Sequence, residues 1–398
     1  MTTGERPFGG FPAVSARDAV RALRPSRIRE VANAGMGLDD VLPFWFGESD
    51  QATPQFIVDA AGRALRDGAT FYTHNLGIAP LREAVAGYVS RLHGATRADN
   101  IAITSGGVSA LMLATQLLAG PGDRVVAVTP LWPNLVEMPK ILGAHVETVS
   151  LGYGAEGWTL DTEKLFAALT PGTKLLLINS PNNPTGWTLS AKEQRLLLDH
   201  CRQRDIWIVA DEVYERLCYS EDGPAVAPSF LDAADREEKV ICVNSFSKSW
   251  VMTGWRLGWL VAPASLMDDM SKLIEYNTSC APSFVQQAGI TAVKEGDAFV
   301  RDFVAGLKDS RDHLVRGLAA LPGIDVKAPP GAMYLFFSMP GAEDSLSLCK
   351  ALVRDAGLGL APGVAFGPEG EGFVRWCYAC DTARLDEGLR RLRGYLAR

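Results

Sequence analysis

No stretch of this chain holds 18 consecutive apolar residues, which leaves no candidate for a membrane-spanning helix. Residues 1–29 mix polar groups with glycine, proline and arginine and carry no apolar core of leader-peptide length. Basic runs are also missing. With 39 lysines and arginines against 46 aspartates and glutamates, the net charge is −7, so nucleic acid is not expected as a partner. The seven cysteines form no framework, and the single Cys377-Tyr-Ala-Cys380 has no second pair to complete a metal site. Neither a metal centre nor a disulfide scaffold is expected, and a cytoplasmic location fits the cysteine usage.

Hydrophobic residues make up 47% of the 398 positions, enough for a well-buried core, and the length suits two or three domains. Apolar spacing predicts helices over 54–67, 81–92, 108–118 and 191–204. Between them lie short apolar runs at 124–128, 145–149, 174–179, 206–210 and 240–243. Several are continuous rather than alternating, the pattern of strands buried on both faces of a mainly parallel sheet. This predicts an α/β fold with a central sheet flanked by helices. After residue 290 the pattern changes. A long helix over 297–321, a Pro-Pro-Gly turn at 329–331, strands at 333–338 and 373–379, and helices at 345–356 and 383–396 predict a smaller α+β domain.

The polar residues that stand out close apolar runs. After Val240-Ile-Cys-Val243 comes Ser245-Phe-Ser-Lys248-Ser-Trp-Val-Met-Thr-Gly254-Trp-Arg256-Leu-Gly258. Desolvation lowers the pKa of a lysine placed there and keeps part of it unprotonated, as Schiff-base chemistry with an aldehyde requires. The aldehyde most often held this way is pyridoxal 5′-phosphate (PLP), whose phosphate the serines and Arg256 would suit. The competing reading is a strand-ending lysine that snorkels to water.

Other runs end similarly. Thr104-Ser-Gly106-Gly107-Val108 sets glycines before a helix start, where backbone can approach a phosphate. Asn179-Ser-Pro-Asn182-Asn183-Pro184-Thr-Gly186 is dense in turn formers. Asp211 closes Trp207-Ile-Val-Ala210 and needs either a cationic partner or a helix to cap. Arg375, inside Phe373-Val-Arg-Trp-Cys, needs an anion supplied by protein or substrate.

The run 245–258 closely resembles the cofactor-lysine signature of the class I aminotransferases, the aspartate aminotransferase-like PLP enzymes of fold type I. The resemblance extends from about Leu42 to the C-terminus. It implies that Lys248 carries PLP and moves the substrate proton. Asp211 would face the pyridine nitrogen, Asn183 and Tyr214 would reach the ring 3′ oxygen, and Trp132 would stack on the ring. The phosphate would meet the amides of Gly107 and Val108, the side chains of Ser245 and Arg256, less securely Ser247, and Tyr72 from a neighbouring subunit. A homodimer is therefore implied.

Arg375, with the Gly47 amide and Asn183, would hold the substrate α-carboxylate, Glu48 would shape the side-chain pocket, and His74 is a weaker substrate contact. Cys377 stands where the family usually has a small hydroxyl residue. The implied domains are 50–289 (large, PLP-binding) and 1–49 with 290–398 (small). The implied reaction is ping-pong transamination between an L-α-amino acid and a 2-oxo acid. The alternatives are a PLP-dependent lyase, decarboxylase, oxidase or cyclase, or a non-catalytic PLP-sensing domain.

Overall fold

A seven-stranded sheet organises the protein. In spatial order its strands are Ile101–Thr104, Gly258–Val261, Val240–Ser245, Trp207–Asp211, Thr173–Asn179, Arg124–Thr129 and His145–Ser150. Gly258–Val261 runs antiparallel to both neighbours, and the other pairings are parallel. The structure, a computed structural model, describes residues 15–220 and 223–398. The part of the N-terminal reading that falls on residues 1–14 lies outside the described residues.

The strands alternate their burial between two apolar clusters. Ala102, Val125, Leu175, Val209, Ile241 and Leu260 face the helices Gly107–Leu118 and Met267–Glu275. Ile103, Val126, Leu176, Ile208, Cys242 and Trp259 face the helices Gln55–Arg66, Ala79–His93, Ala191–Arg204 and Ser283–Glu295. Both faces are covered, which is why the strands read as continuous apolar runs. Each fully buried Leu, Ile or Val side chain stabilises the fold by about 1.5–3 kcal/mol.

The predicted elements are present with ends shifted by a few residues. The two strands missing from the sequence reading, Ile101–Thr104 and Gly258–Val261, have four residues each and pair with one another. Lys248 does not end a strand. It lies in the single helical turn Phe246–Ser249, whose first turn is capped by the Ser245 side chain accepting from the Ser247 amide at 3.1 Å. Nor does Asp211 cap a helix: residues 213–216 form a turn, and its Oδ1 accepts from the Val213 amide at 3.3 Å.

Beyond Gly296, the helix Asp297–Ala319 leads to an antiparallel sheet ordered Tyr334–Ser338, Phe373–Cys377 and Ala361–Pro362. Leu42–Pro43 pairs in parallel with Leu358–Gly359, and the helix Arg27–Ala34 packs on Ser345–Ala356. Residues 27–43 therefore join the C-terminal elements, whereas the helix Asp18–Arg21 packs on Asn134–Ile141 and Arg17 donates to the Ile141 carbonyl at 3.1 Å. The helix Ser283–Glu295 runs unbroken through residue 289.

Candidate active site

Strand direction gathers the polar residues. Thr104, Thr129, Asn179, Asp211 and Ser245 end their strands on one edge of the sheet, and Gly258 begins the antiparallel strand on that same edge. Open α/β sheets bind ligands at this edge. The pairing Ser245↔Gly258 brings the chain back beside its own exit point, so Arg256 returns next to Ser245. A cavity of about 440 Å³ opens there, lined by Gly47, Gly107, Val108, Trp132, Asn183, Asp211, Tyr214, Ser245, Ser247, Lys248 and Arg256. Arg29, Phe46, Glu48 and Tyr334 complete much of its wall.

Each group is held by a short chain of contacts. Asn179 Nδ2 donates to the Asp211 carbonyl at 2.9 Å, and its Oδ1 accepts from the Asn183 amide at 2.7 Å. The Trp132 amide donates to the Asn183 carbonyl at 2.9 Å, which ties the aromatic to the asparagine turn. Gly106 has φ +94°, and a β-carbon there would overlap the Arg256 guanidinium. Only glycine lets these two segments approach so closely. Arg256 itself sits in the left-handed region at φ 54°, a conformation that costs a non-glycine residue on the order of 1 kcal/mol or more.

Burial pushes the Asp211 carboxyl up to about 7, although the Val213 amide and Lys248 pull it down. Burial likewise brings the Lys248 amine down to about 8, against the opposing influence of Cys377, Glu48 and Asp211. Its Nζ donates to the Gly47 carbonyl at 2.5 Å.

Arg375 is 2% exposed and does not line the cavity directly. It donates to Asn183 Oδ1 at 2.8 Å and to the Trp45 carbonyl, while its Nε has no hydrogen-bond partner. The guanidinium lies between the rings of Tyr334 and Phe366, 4.4 and 4.8 Å from their centroids.

Two of the expected residues lie elsewhere. Tyr72 is 90% exposed and outside this cavity. His74 is exposed too, and its Nδ1 accepts from the Leu76 amide at 3.2 Å, a local turn contact away from the cavity. Tyr334 was missed: its hydroxyl lies 2.7 Å from that of Tyr214. As an aromatic in the apolar strand Tyr334–Ser338 it reads as core, and the lone hydroxyl was the only signal.

The residues present fit PLP. Asp211 is 3% exposed and, among the described residues, has no cation within hydrogen-bonding reach, a place that a protonated ring nitrogen would fill. Arg256, the Ser245 hydroxyl and the first amides of the helix Gly107–Leu118 surround a space that glycine keeps open to a phosphate. Lys248 supplies the amine.

The class that this fold and site define is visible in other proteins. The family model for aminotransferase class I and II matches residues 39–392, and the chain belongs to that family. It is 35% identical to an aspartate aminotransferase of Pyrococcus horikoshii over 94% of this chain and 95% of that one. A probable N-acetyl-LL-diaminopimelate aminotransferase of Bacillus subtilis is 34% identical over 94% and 93%. A solved structure of Thermus thermophilus aspartate aminotransferase (single mutant 1) superposes with a TM-score of 0.89 at 31% identity, covering 96% of this chain and all of that one. The chain is a PLP-dependent aminotransferase of fold type I, transferring an amino group between an amino acid and a 2-oxo acid.

Proposed function

We propose that the cavity at the sheet edge is the transamination site and that its residues act in the following roles. The observation that carries the assignment is that the Lys248 amine and the buried Asp211 carboxylate line one cavity, with burial bringing the amine down to about 8. Bound there, PLP supplies an aldehyde that takes up amines and a ring that withdraws electrons from the carbon bearing the amino group.

Asp211 would keep the ring nitrogen protonated. Trp132 would cover one ring face, while Asn183 and Tyr214 would meet the ring oxygen. Gly107, Val108, Ser245 and Arg256 would grip the phosphate. Lys248 Nζ would take the proton from the substrate α-carbon and return it to the carbon on the other side of the amino nitrogen, acting as base and then acid. Arg375, with Asn183 and the Gly47 amide, clamps the α-carboxylate and so orients the bond that breaks. Water would release the 2-oxo acid and leave the amino group on the cofactor, from which a second oxo acid would take it by the reverse sequence.

The donor is an L-α-amino acid whose side chain meets a mixed wall: Phe46 and Val108, the Glu48 carboxylate, and the exposed Arg29 guanidinium 5.0 Å from the Phe46 ring. The relatives are named for donors as different as aspartate and N-acetyl-LL-diaminopimelate, so the family alone does not select one. The deciding experiment follows loss of the lysine-bound cofactor absorbance against a panel of amino acids, one half-reaction at a time. Release of pyruvate and ammonia without any oxo-acid acceptor would instead favour a lyase.

The working unit is a homodimer in which Tyr72 reaches the neighbour's phosphate site. Its exposed ring, and those of Phe71 and Tyr276, support this. Residues 50–289 would make up the PLP-binding domain, and the described residues up to 49 with 290–398 the smaller one, with the helix Ser283–Glu295 crossing that boundary. Seven free thiols favour the cytoplasm, and among the described residues no helix is long and apolar enough to cross a membrane.

A further inference from the structure

Tyr334 and Arg375 rise from adjacent antiparallel strands in which Tyr334 pairs with Cys377 and Phe336 with Arg375. Side chains two apart share a face, so Tyr334, Phe336, Arg375 and Cys377 all point to the same side. There the Tyr334 hydroxyl meets Tyr214, which belongs to the turn after the Asp211 strand. A β-carbon on Gly47 would overlap this hydroxyl, so glycine at 47 is what leaves it room.

Two phenol hydroxyls 2.7 Å apart share one hydrogen bond, and one of them must donate it. Among the described residues the Tyr334 hydroxyl has no other partner, and its ring is completely buried. Either hydroxyl can be the donor; with the Tyr214 proton given to the ring oxygen, Tyr334 is the one left to donate, because a buried hydroxyl proton without an acceptor is costly. Burial raises both phenols, so each keeps its proton through the physiological range.

We propose that Tyr334 is a positioning residue acting through Tyr214: it donates to the Tyr214 oxygen, and the Tyr214 proton is thereby left to point at the ring oxygen of the cofactor. A hydroxyl that already accepts a hydrogen bond donates more strongly. This inference rests on the reading that Tyr214 meets that ring oxygen. The Tyr334 ring has a separate task against the Arg375 guanidinium, which a phenylalanine would keep.

The test is an absorbance titration of the lysine-bound cofactor in the holoenzyme and in Tyr214→Phe, Tyr334→Phe and the double variant. Donation to the ring oxygen favours the unprotonated linkage to Lys248, because in that form the oxygen has lost its internal proton partner. Losing the donor therefore raises the titration midpoint. Tyr334→Phe is expected to move it upward by less than Tyr214→Phe, and the double variant to match Tyr214→Phe alone. An unmoved midpoint in Tyr334→Phe, or full addition of the two shifts, overturns the inference while leaving Tyr214 in place. No shift in Tyr214→Phe overturns the assignment of Tyr214 and this inference with it.

Discussion

Arg375 gives one arm of its guanidinium to Asn183 Oδ1 at 2.8 Å and the other to the Trp45 carbonyl, and both acceptors are neutral. A cation buried this deeply is stable only beside a compensating charge. Among the described residues no carboxylate pairs with it, which supports the proposal that a substrate carboxylate would supply the anion.

Arg375→Lys keeps the charge and loses the two-pronged geometry. Saturation by the amino acid should weaken by about 10–1000-fold, roughly 1.4–4 kcal/mol, with melting temperature and PLP affinity little changed. Unchanged half-reaction saturation would remove Arg375 from the site.

Lys248 should be the residue labelled when borohydride reduces the holoenzyme and peptides are mapped. Lys248→Ala should still bind PLP through the phosphate contacts, take no label and lose nearly all turnover. A label on another lysine would refute the assignment.

Asp211→Ala should lower the half-reaction rate by about 10²–10³-fold, the scale of one preorganised electrostatic contact. A rate within about tenfold of the parent would reduce Asp211 to its bond with the Val213 amide.

Behind the lysine strand, His93 lies between Glu215 at 3.1 Å and Asp232 at 3.0 Å. Burial opposes its charge, but the two carboxylates overcome that and hold it up at about 10. A histidine raised above its unfolded value near 6.5 stabilises the fold fully below that pH and loses its contribution as pH rises toward 10. Chemical denaturation should show stability falling by a few kcal/mol between about pH 6.5 and 10. In His93→Gln this slope should flatten, and an equal slope would show that other groups cause it.

Tyr72 variants and Lys248→Ala, each impaired alone, should recover part of their activity when mixed, because one of the two sites in a mixed dimer regains both residues. A fully active monomer in sedimentation at assay concentration would exclude shared sites.

Asp211 was legible because a carboxylate closing a buried run carries a desolvation cost that demands a partner; Lys248 and Asn183 were legible from the polar runs that follow buried strands and from their resemblance to the family's. Tyr334 was not, since a tyrosine in an apolar strand pays little for burial and needs only one hydrogen bond. The order of the strands was also hidden. Ile101–Thr104 and Gly258–Val261 are too short to announce themselves, yet their antiparallel pairing sets the direction in which Arg256 returns. The bond from Lys248 to the Gly47 carbonyl joins residues 201 positions apart, a contact no local pattern encodes.

The ladder that pairs Ser245 with Gly258 also measures the segment it encloses. Loops generally tolerate insertions at small entropic cost. Residues 246–257 have no such latitude, because one end carries the amine and the other the guanidinium. An added residue must either distort the turn that aims Lys248 or slip the strand, and a slip by one turns every following side chain to the opposite face. The proposed covalent anchorage and anion recognition would share a single length of chain, and neither could drift without the other.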